Sequence, residues 1–218
     1  MSYDDIKRES GREPVWVFEM DLDRCSLTYG LGACTATGSS GSECFNAFGT
    51  CQVTSAYART SYTLRFSSTR LDGIQATGEA PTFPTLLSVK TAPTVLTPAK
   101  GLGVRSSVAV TLSDSTWTDE VTDPYVENRS YDPMEQGTFW GRLLARNLYY
   151  EGREMRIKTG YLTTAGTYDA SNFQTRTYFV ESISGPDPSG KVTVKGKDVL
   201  KFADREKAQL PVQSQATL

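Results

Sequence analysis

Residues 62–67 read Tyr-Thr-Leu-Arg-Phe-Ser, and large apolar side chains alternate with polar ones along this stretch. In an extended chain, Tyr62, Leu64 and Phe66 would all lie on one face, with the polar side chains on the other. A period of two residues is typical of a β-strand with one buried face. This stretch is the clearest strand signal in the chain, and it indicates a fold built mainly from β-strands.

Similar patterns predict further strands on both sides of this one. The expected strands cover residues 14–22, 86–95, 103–113, 153–162, 174–184 and 191–197. Apolar residues recur at helical spacing in residues 138–147, and Thr138 is a suitable N-cap for a helix there. A second short helix is expected from Asp198 to about residue 205. The chain also has eleven tyrosines and many Thr and Val residues, which favour β structure. The sequence therefore predicts a mainly β (α+β) protein with one or two short helices.

Length and charge exclude several classes of function. The chain has 218 residues, which suits one large or two small domains. Its formal net charge is −2, so no basic surface is expected for sequence-specific nucleic-acid binding. The sequence has no apolar run near the roughly 20 residues that span a membrane. Its first residues, Met-Ser-Tyr-Asp-Asp-Ile-Lys-Arg, lack the apolar core of a signal peptide. We expect a soluble protein that is made in the cytoplasm.

The four cysteines are the candidate functional residues. They are Cys25, Cys34, Cys44 and Cys51, and the chain contains no histidine. Without histidine, neither Ser-His-Asp nor Cys-His catalysis is available, and mixed Cys/His zinc sites are excluded. Any metal bound by this group would have thiolate ligands only.

Four explanations of the cysteine group remain open from the residues alone. They are inert buried thiols, two disulfides, a zinc site and an iron–sulfur cluster. The segment is rich in Gly and Ser and offers little apolar core, so a bound metal is expected to order it. A reducing cytoplasm disfavours disulfides. Zinc ligands usually occur as close pairs, whereas a cluster accepts wide gaps, so the spacing leaves zinc and iron–sulfur nearly even.

Residues 114–135 form an acidic, turn-rich segment with seven carboxylates. In principle these groups could bind Ca²⁺ or supply an acid/base pair. The segment lacks the spacing of an EF-hand loop, and no glycosidase pair can be identified in it. We expect a solvated surface loop.

Several stretches resemble siphophage tail-tip (baseplate hub) proteins. One is the cysteine segment, with Cys25-Ser-Leu-Thr-Tyr-Gly, Cys44-Phe-Asn and Gly49-Thr-Cys51-Gln. The others are residues 131–141, 178–186 and 194–204. The resemblance extends over about residues 12–211.

The resemblance implies a structural [4Fe–4S] cluster, with zinc as the alternative metal. Its ligands would be Cys25, Cys34, Cys44 and Cys51, one from each of four short stretches of the segment. Metal binding would then supply the folding energy that the glycine-rich segment lacks.

The resemblance also implies a domain organisation. It places an N-terminal arm and strand at 1–24 and the cysteine segment with a flanking strand at 25–85. A tail-tube-like β-barrel domain would follow at 86–206, and a linker or contact arm at 207–218. Hub chains are often longer, so the sequence would be either a short hub or the N-terminal part of a longer one.

The expected function is structural rather than enzymatic. The resemblance implies a homotrimeric hub at the virion tail tip that assembles in the host cytoplasm. Its partners would be the distal tail protein, a central fibre or receptor-binding protein, and the tape-measure protein. The alternatives are a tail-associated cell-wall hydrolase and a zinc-stabilised interaction module.

Overall fold

The computed structural model describes the chain in several stretches. They are residues 3–8, 10, 12–27, 33–36, 44, 46–69, 82–93, 106–115, 137–147, 149–162 and 168–199. The helices are α1 (Tyr3–Ile6) and α2 (Phe139–Arg146). The strands are β1 (Pro14–Cys25), β2 (Arg59–Ser67), β3 (Thr82–Phe83), β4 (Leu86–Ala92), β5 (Ser107–Ser113), β6 (Glu154–Tyr161), β7 (Phe173–Ser184) and β8 (Lys191–Lys197). Short 3₁₀ turns occur at Phe48–Thr50, Thr54–Ala56 and Ala170–Asn172.

The eight strands form one mixed sheet in the order β3-β2-β1-β6-β7-β8-β5-β4. All neighbouring strands pair antiparallel except β2 and β3, which are parallel. Strand β1 lies between β2 and β6, so an early strand pairs with one that follows more than a hundred residues later. The mainly β class predicted from the sequence is confirmed.

The sheet curls but stays open. Strands β3 and β4 are its two edges, yet only Pro84 and Thr85 separate them along the chain. Side chains from both edges, Phe83 and Leu86, belong to the same hydrophobic core. Within the described residues no hydrogen-bonded ladder joins β3 to β4, because β3 has only two residues and the chain then turns directly into β4. The predicted closed β-barrel is therefore wrong, and the architecture is an open mixed sheet.

Helix α2 packs its apolar side on the concave face of the sheet. The Thr138 side chain accepts a hydrogen bond from the Gly141 backbone N–H, as its predicted N-cap role requires. The Trp140 ring stacks on Phe66 of β2 with 5.4 Å between the ring centroids, and Phe139 lies 5.5 Å from Phe83 of β3. The helix predicted at residues 138–147 is thus confirmed, and its aromatic residues fill the core.

Each strand predicted from periodicity has a counterpart in the sheet, and β8 matches its predicted bounds. Strand β1 continues past Leu22 to Cys25. Strand β3 is not among the predicted strands, because two residues are too few to show a period. The boundary suggested between residues 85 and 86 falls between β3 and β4 of the same sheet, and the domain division stays a prediction. Of the second predicted helix, the structure describes only Asp198 and Val199.

Candidate functional site

The four cysteines line one small cavity beside the end of β1. Cys25 is the last residue of β1, and Cys51 directly follows the 3₁₀ turn at Phe48–Thr50. Cys44 is buried, whereas Cys25, Cys34 and Cys51 are partly exposed, and all four are free thiols. The side chain of Tyr57 also lines this cavity. The sequence therefore identified side chains that lie around one place.

The geometry of this cavity does not fit a metal centre. Among the described residues, which include all four cysteines, no three Cys, Asp or Glu side chains are placed to bind a metal ion together. The accessible volume of the cavity is about 10 Å³, which is room for about one water molecule. The predicted [4Fe–4S] cluster, and zinc in its place, are therefore wrong for this structure.

Backbone hydrogen bonds and aromatic packing order the part of this segment that the structure describes. The Cys25 N–H donates to the Asn46 carbonyl at 2.7 Å, and the Ser26 N–H donates to the Ala58 carbonyl at 2.8 Å. The rings of Phe48 and Tyr57 meet edge to face with their centroids 5.2 Å apart. The metal prediction assumed that a glycine-rich segment has no other source of order, and these contacts with β1 and within the segment supply one.

A charged network covers the face of the sheet opposite helix α2. Glu19 of β1 is only 2% exposed, yet it accepts hydrogen bonds from three cations. The distances to its carboxylate oxygens are 2.7 Å from Arg65 Nε, 2.8 Å from Lys158 Nζ and 3.0 Å from Arg156 Nε. The Arg156 guanidinium also binds both carboxylate oxygens of Asp21, at 2.7 and 2.8 Å. The network links β2, β1 and β6 across the middle of the sheet.

The charges of this network shift the pKa values of its members. Burial alone would raise the pKa of Glu19, but hydrogen bonds from Lys158 and Arg156, with the positive charges around them, hold it below the ordinary value of 4.5. The hydrogen bond to Asp21 is the main cause that raises the pKa of the Arg156 guanidinium. Glu19 is therefore ionised at neutral pH, and its negative charge is compensated.

A larger cleft lies next to the cysteine cavity and is named here the aromatic–arginine cleft. Its volume is about 400 Å³. Its aromatic wall consists of Phe48, Tyr57 and Tyr149. The charged side chains come from the end of β1, the start of β2, the end of α2 and the residue before β6. The lining residues are Leu22, Asp23, Phe48, Gly49, Tyr57, Arg59, Arg146, Asn147, Tyr149 and Arg153.

Three guanidinium groups and one carboxylate set the charge of the aromatic–arginine cleft. Arg59 Nε lies 2.8 Å from Asp23 Oδ2, and Arg153 forms an ion pair with the same carboxylate oxygen. Arg153 Nε also donates to the Tyr149 backbone carbonyl at 3.2 Å, which connects it to the aromatic wall. Arg146 lies in the last turn of α2, where a cation interacts favourably with the helix C-terminus. Arginine is thus in excess over the single carboxylate.

Tyr57 separates the aromatic–arginine cleft from the cysteine cavity and lines both. Its hydroxyl oxygen is buried and has no hydrogen-bond partner within the described part of the chain. Burial, followed by the negative charge of Asp23, raises the pKa of Tyr57 to about 12. The hydroxyl is therefore protonated at neutral pH and can donate a hydrogen bond.

Strand β4 provides a different kind of surface at the edge of the sheet. Among the described residues it pairs only with β5, on one side, and most of its side chains are exposed. Leu87 is the largest of its exposed apolar residues, with 53% of its surface accessible. An edge strand carries backbone N–H and C=O groups that can pair with another chain.

Sequence reasoning found the cysteines but missed the aromatic–arginine cleft. Its residues come from three distant stretches, around Leu22, Phe48 and Arg146, and only the pairing of β1 with β2 and β6 brings them together. The run of Tyr149 and Tyr150 after α2 was the one local signal. Of the acidic residues in 114–135, the structure describes only Asp114, which accepts a hydrogen bond from the Trp140 N–H of α2 at 3.0 Å. The other six lie outside the described residues.

Fold and site together define a mainly β protein with one open mixed sheet and a cleft of aromatic and arginine side chains. No known protein-family model matches the chain, and a search of curated proteins found no match either. Within the part of the chain that is described, no helix is both long and apolar enough to cross a membrane.

Proposed function

We propose that the chain is a structural protein of a phage tail tip, of the baseplate-hub kind. In this proposal it assembles with copies of itself and with neighbouring tail proteins through the edge of its open sheet. The assembly role is supported by strand β4, which pairs on one side only within the described part of the chain and exposes Leu87. The hub assignment rests on the resemblance of the cysteine segment and of residues 131–141, 178–186 and 194–204.

An open sheet edge suits an assembly protein. A partner strand that adds to β4 gains backbone hydrogen bonds, and pockets for alternate side chains give the pairing its specificity. The β4 side chains contribute one positive charge, Lys90, among small residues and Leu87. The register of β4 shifts between Leu86 and Ser88, so the regular part of its edge runs from Ser88 to Ala92. The partners proposed are two further copies of the chain, the distal tail protein, the central fibre and the tape-measure protein.

The alternative of a cell-wall hydrolase has less support in the geometry. A muramidase of the two-carboxylate kind needs one carboxyl group whose pKa is raised, so that it can act as a general acid. The central carboxylate, Glu19, has its pKa lowered and is held by three cations. The neighbouring Asp21 is bound by both terminal nitrogens of Arg156. This pair of carboxylates is suited to holding strands together rather than to transferring protons.

Light scattering coupled to size-exclusion chromatography tests assembly through β4. We expect the native chain to elute with the mass of three copies. Leu87→Lys places a charge on the edge strand and should shift the elution to a single copy. Thr175→Lys is the matched control, because it adds the same charge at an exposed position of β7, a strand paired on both sides. A monomeric native chain, or equal behaviour of the two variants, would contradict assembly through β4.

Electron microscopy tests the location. Gold-labelled antibody against the chain, applied to particles from cells that make it, should mark the end of the tail that is distal to the capsid. Labelling of the capsid, or a lack of labelling on any particle, would refute the tail-tip assignment without bearing on the oligomeric state.

A further inference from the structure

The aromatic–arginine cleft presents exposed rings inside a concave surface. Phe48 is 47% exposed and Tyr149 is 65% exposed, and their ring centroids lie 6.3 Å apart. They are among the most exposed large apolar side chains of the described residues. Exposed apolar side chains that occur singly need no explanation, but a group of them within a cleft is typical of a binding site.

The charge of the cleft favours an anion. Three arginines and a single carboxylate, Asp23, line the cleft, so the formal charge of its lining residues is positive. Arg59 contributes a side chain that is 64% exposed, so its remaining N–H donors can reach a ligand while Nε stays paired with Asp23. Guanidinium groups bind carboxylate and phosphate oxygens in a planar, two-pronged geometry. The cleft therefore offers a strong site for a negatively charged group beside the aromatic wall.

The size of the cleft restricts the ligand to a small molecule. A volume of about 400 Å³ lies in the range of pockets that hold metabolites and cofactors, about 300–1,000 Å³. The lining combines aromatic rings with guanidinium groups. A ligand that uses both must carry a flat apolar part and an anionic part within a few bond lengths of each other.

We propose that the aromatic–arginine cleft binds a small organic anion in which an aromatic or other planar ring is joined to a phosphate or carboxylate. The ring packs against Phe48 and Tyr149, and the anionic group is bound by Arg59 with Arg146 nearby. The site is independent of the β4 edge, so the proposal stands whether or not the chain belongs to a phage tail.

Calorimetric titration with three probes tests the pairing of ring and charge. Phenyl phosphate carries both parts, inorganic phosphate carries only the charge, and benzyl alcohol carries only the ring. We expect phenyl phosphate to bind one per chain and at least about tenfold more tightly than either of the other probes. No binding of phenyl phosphate up to about 10 mM would refute the proposal. Equal affinity for phenyl phosphate and inorganic phosphate would refute it as well.

Two variants and two matched controls locate the site. Tyr149→Ala and Arg59→Gln should each weaken phenyl phosphate binding by about tenfold. Trp16→Ala removes an exposed ring elsewhere, and Arg176→Gln removes an exposed guanidinium from β7, so both should bind like the native chain. Thermal melting confirms that all four variants are folded. If the controls lose as much affinity as the cleft variants, binding does not occur in this cleft.

Two further ligands distinguish the sources of such an anion. Adenosine monophosphate represents a nucleotide, and N-acetyltyrosine represents an aromatic carboxylic acid. At least one of them should compete with phenyl phosphate, and the tighter competitor identifies the class. If neither competes, the proposal of a ring joined to either anionic group is wrong.

Discussion

Glu19 shows how one buried carboxylate connects three strands. It lies on β1, and its three cationic partners come from β2 and β6. A charge that is 2% exposed would be very unfavourable alone, and it is tolerated because its oxygens accept three hydrogen bonds from cations. Removal of this one side chain would take away the carboxylate that all three cations share, although Arg156 would keep its contacts with Asp21 and Glu154. The middle of the sheet therefore depends on a single residue that no apolar pattern predicts.

The lowered pKa of Glu19 makes the stability of the protein depend on pH. Because the native pKa lies below the ordinary value of 4.5, the unfolded chain takes up this proton first as the pH falls. The contribution of Glu19 to the free energy of unfolding is therefore complete above about pH 4.5 and is lost as the pH falls through the native pKa. Urea unfolding between about pH 7 and pH 3 should show this loss.

Glu19→Gln provides the matching test. We expect it to lower the free energy of unfolding at neutral pH by about 3 kcal/mol and to flatten the decline below pH 4.5. Glu154→Gln is the control, because Glu154 contacts the same Arg156 but its side chain is 43% exposed, and the expected loss is below about 1 kcal/mol. Equal losses of the free energy of unfolding in the two variants would mean that the burial of Glu19 adds little to the stability of the protein.

Strand β6 contains a glycine that its neighbours require. A Cβ atom at Gly160 would lie 2.7 Å from two ring carbons of Phe173 and even closer to the backbone carbonyl oxygen of Asn172. At Gly196 of β8, a Cβ atom would instead meet the Met155 sulfur at 2.5 Å. A thioether side chain can rotate away, whereas a backbone carbonyl held next to β7 cannot.

The two glycines should therefore respond differently to alanine. Gly160→Ala should lower the free energy of unfolding by about 3 kcal/mol, and Gly196→Ala by about 1 kcal/mol, because only the second clash is with side chains, those of Met155 and Val108, rather than with the backbone. Chemical denaturation of both variants measures the difference. A larger loss for Gly196→Ala would show that the core around Met155 is the more rigid region.

The periodicity of the sequence predicted most strands of the sheet, but it did not predict that the sheet stays open. The alternation in residues 62–67 correctly placed Leu64 and Phe66 in the core, and Thr138 correctly marked the start of α2. Closure into a barrel depends on hydrogen bonds between β3 and β4, and β3 has only two residues, so no local pattern could reveal it.

The candidate sites were also predicted only in part. The sequence correctly grouped the cysteines, because they are few and lie close together along the chain. It gave no measure of how their side chains are arranged, and in the described residues that arrangement does not bring three ligands together around a metal. The aromatic–arginine cleft was missed because Phe48 and Tyr149 are about a hundred residues apart and neither belongs to a motif.

At the scale of the whole molecule, the sheet has a well-paired centre and an open edge. Strands β6 and β7 are paired on both sides, whereas β4 is paired on one side only. Amide hydrogen exchange should therefore be slow at residues 174–180 at every protein concentration. At residues 87–92 we expect fast exchange in dilute solution and slower exchange as the concentration rises, because assembly protects the edge. Protection of residues 87–92 that does not change with concentration would argue against assembly through β4.

The pairing of β1 with β6 has a consequence for the synthesis of the chain. About 130 residues separate the end of β1 from the start of β6, and a ribosome takes about ten seconds to add that many. For most of this interval β1 has already left the ribosome, while the strand that pairs with one of its sides does not yet exist. Neighbouring ribosomes on one messenger would hold several such incomplete sheets close together, and each could pair with the next. Correct folding of this protein is therefore a matter of timing during translation as well as of the contacts in the finished sheet.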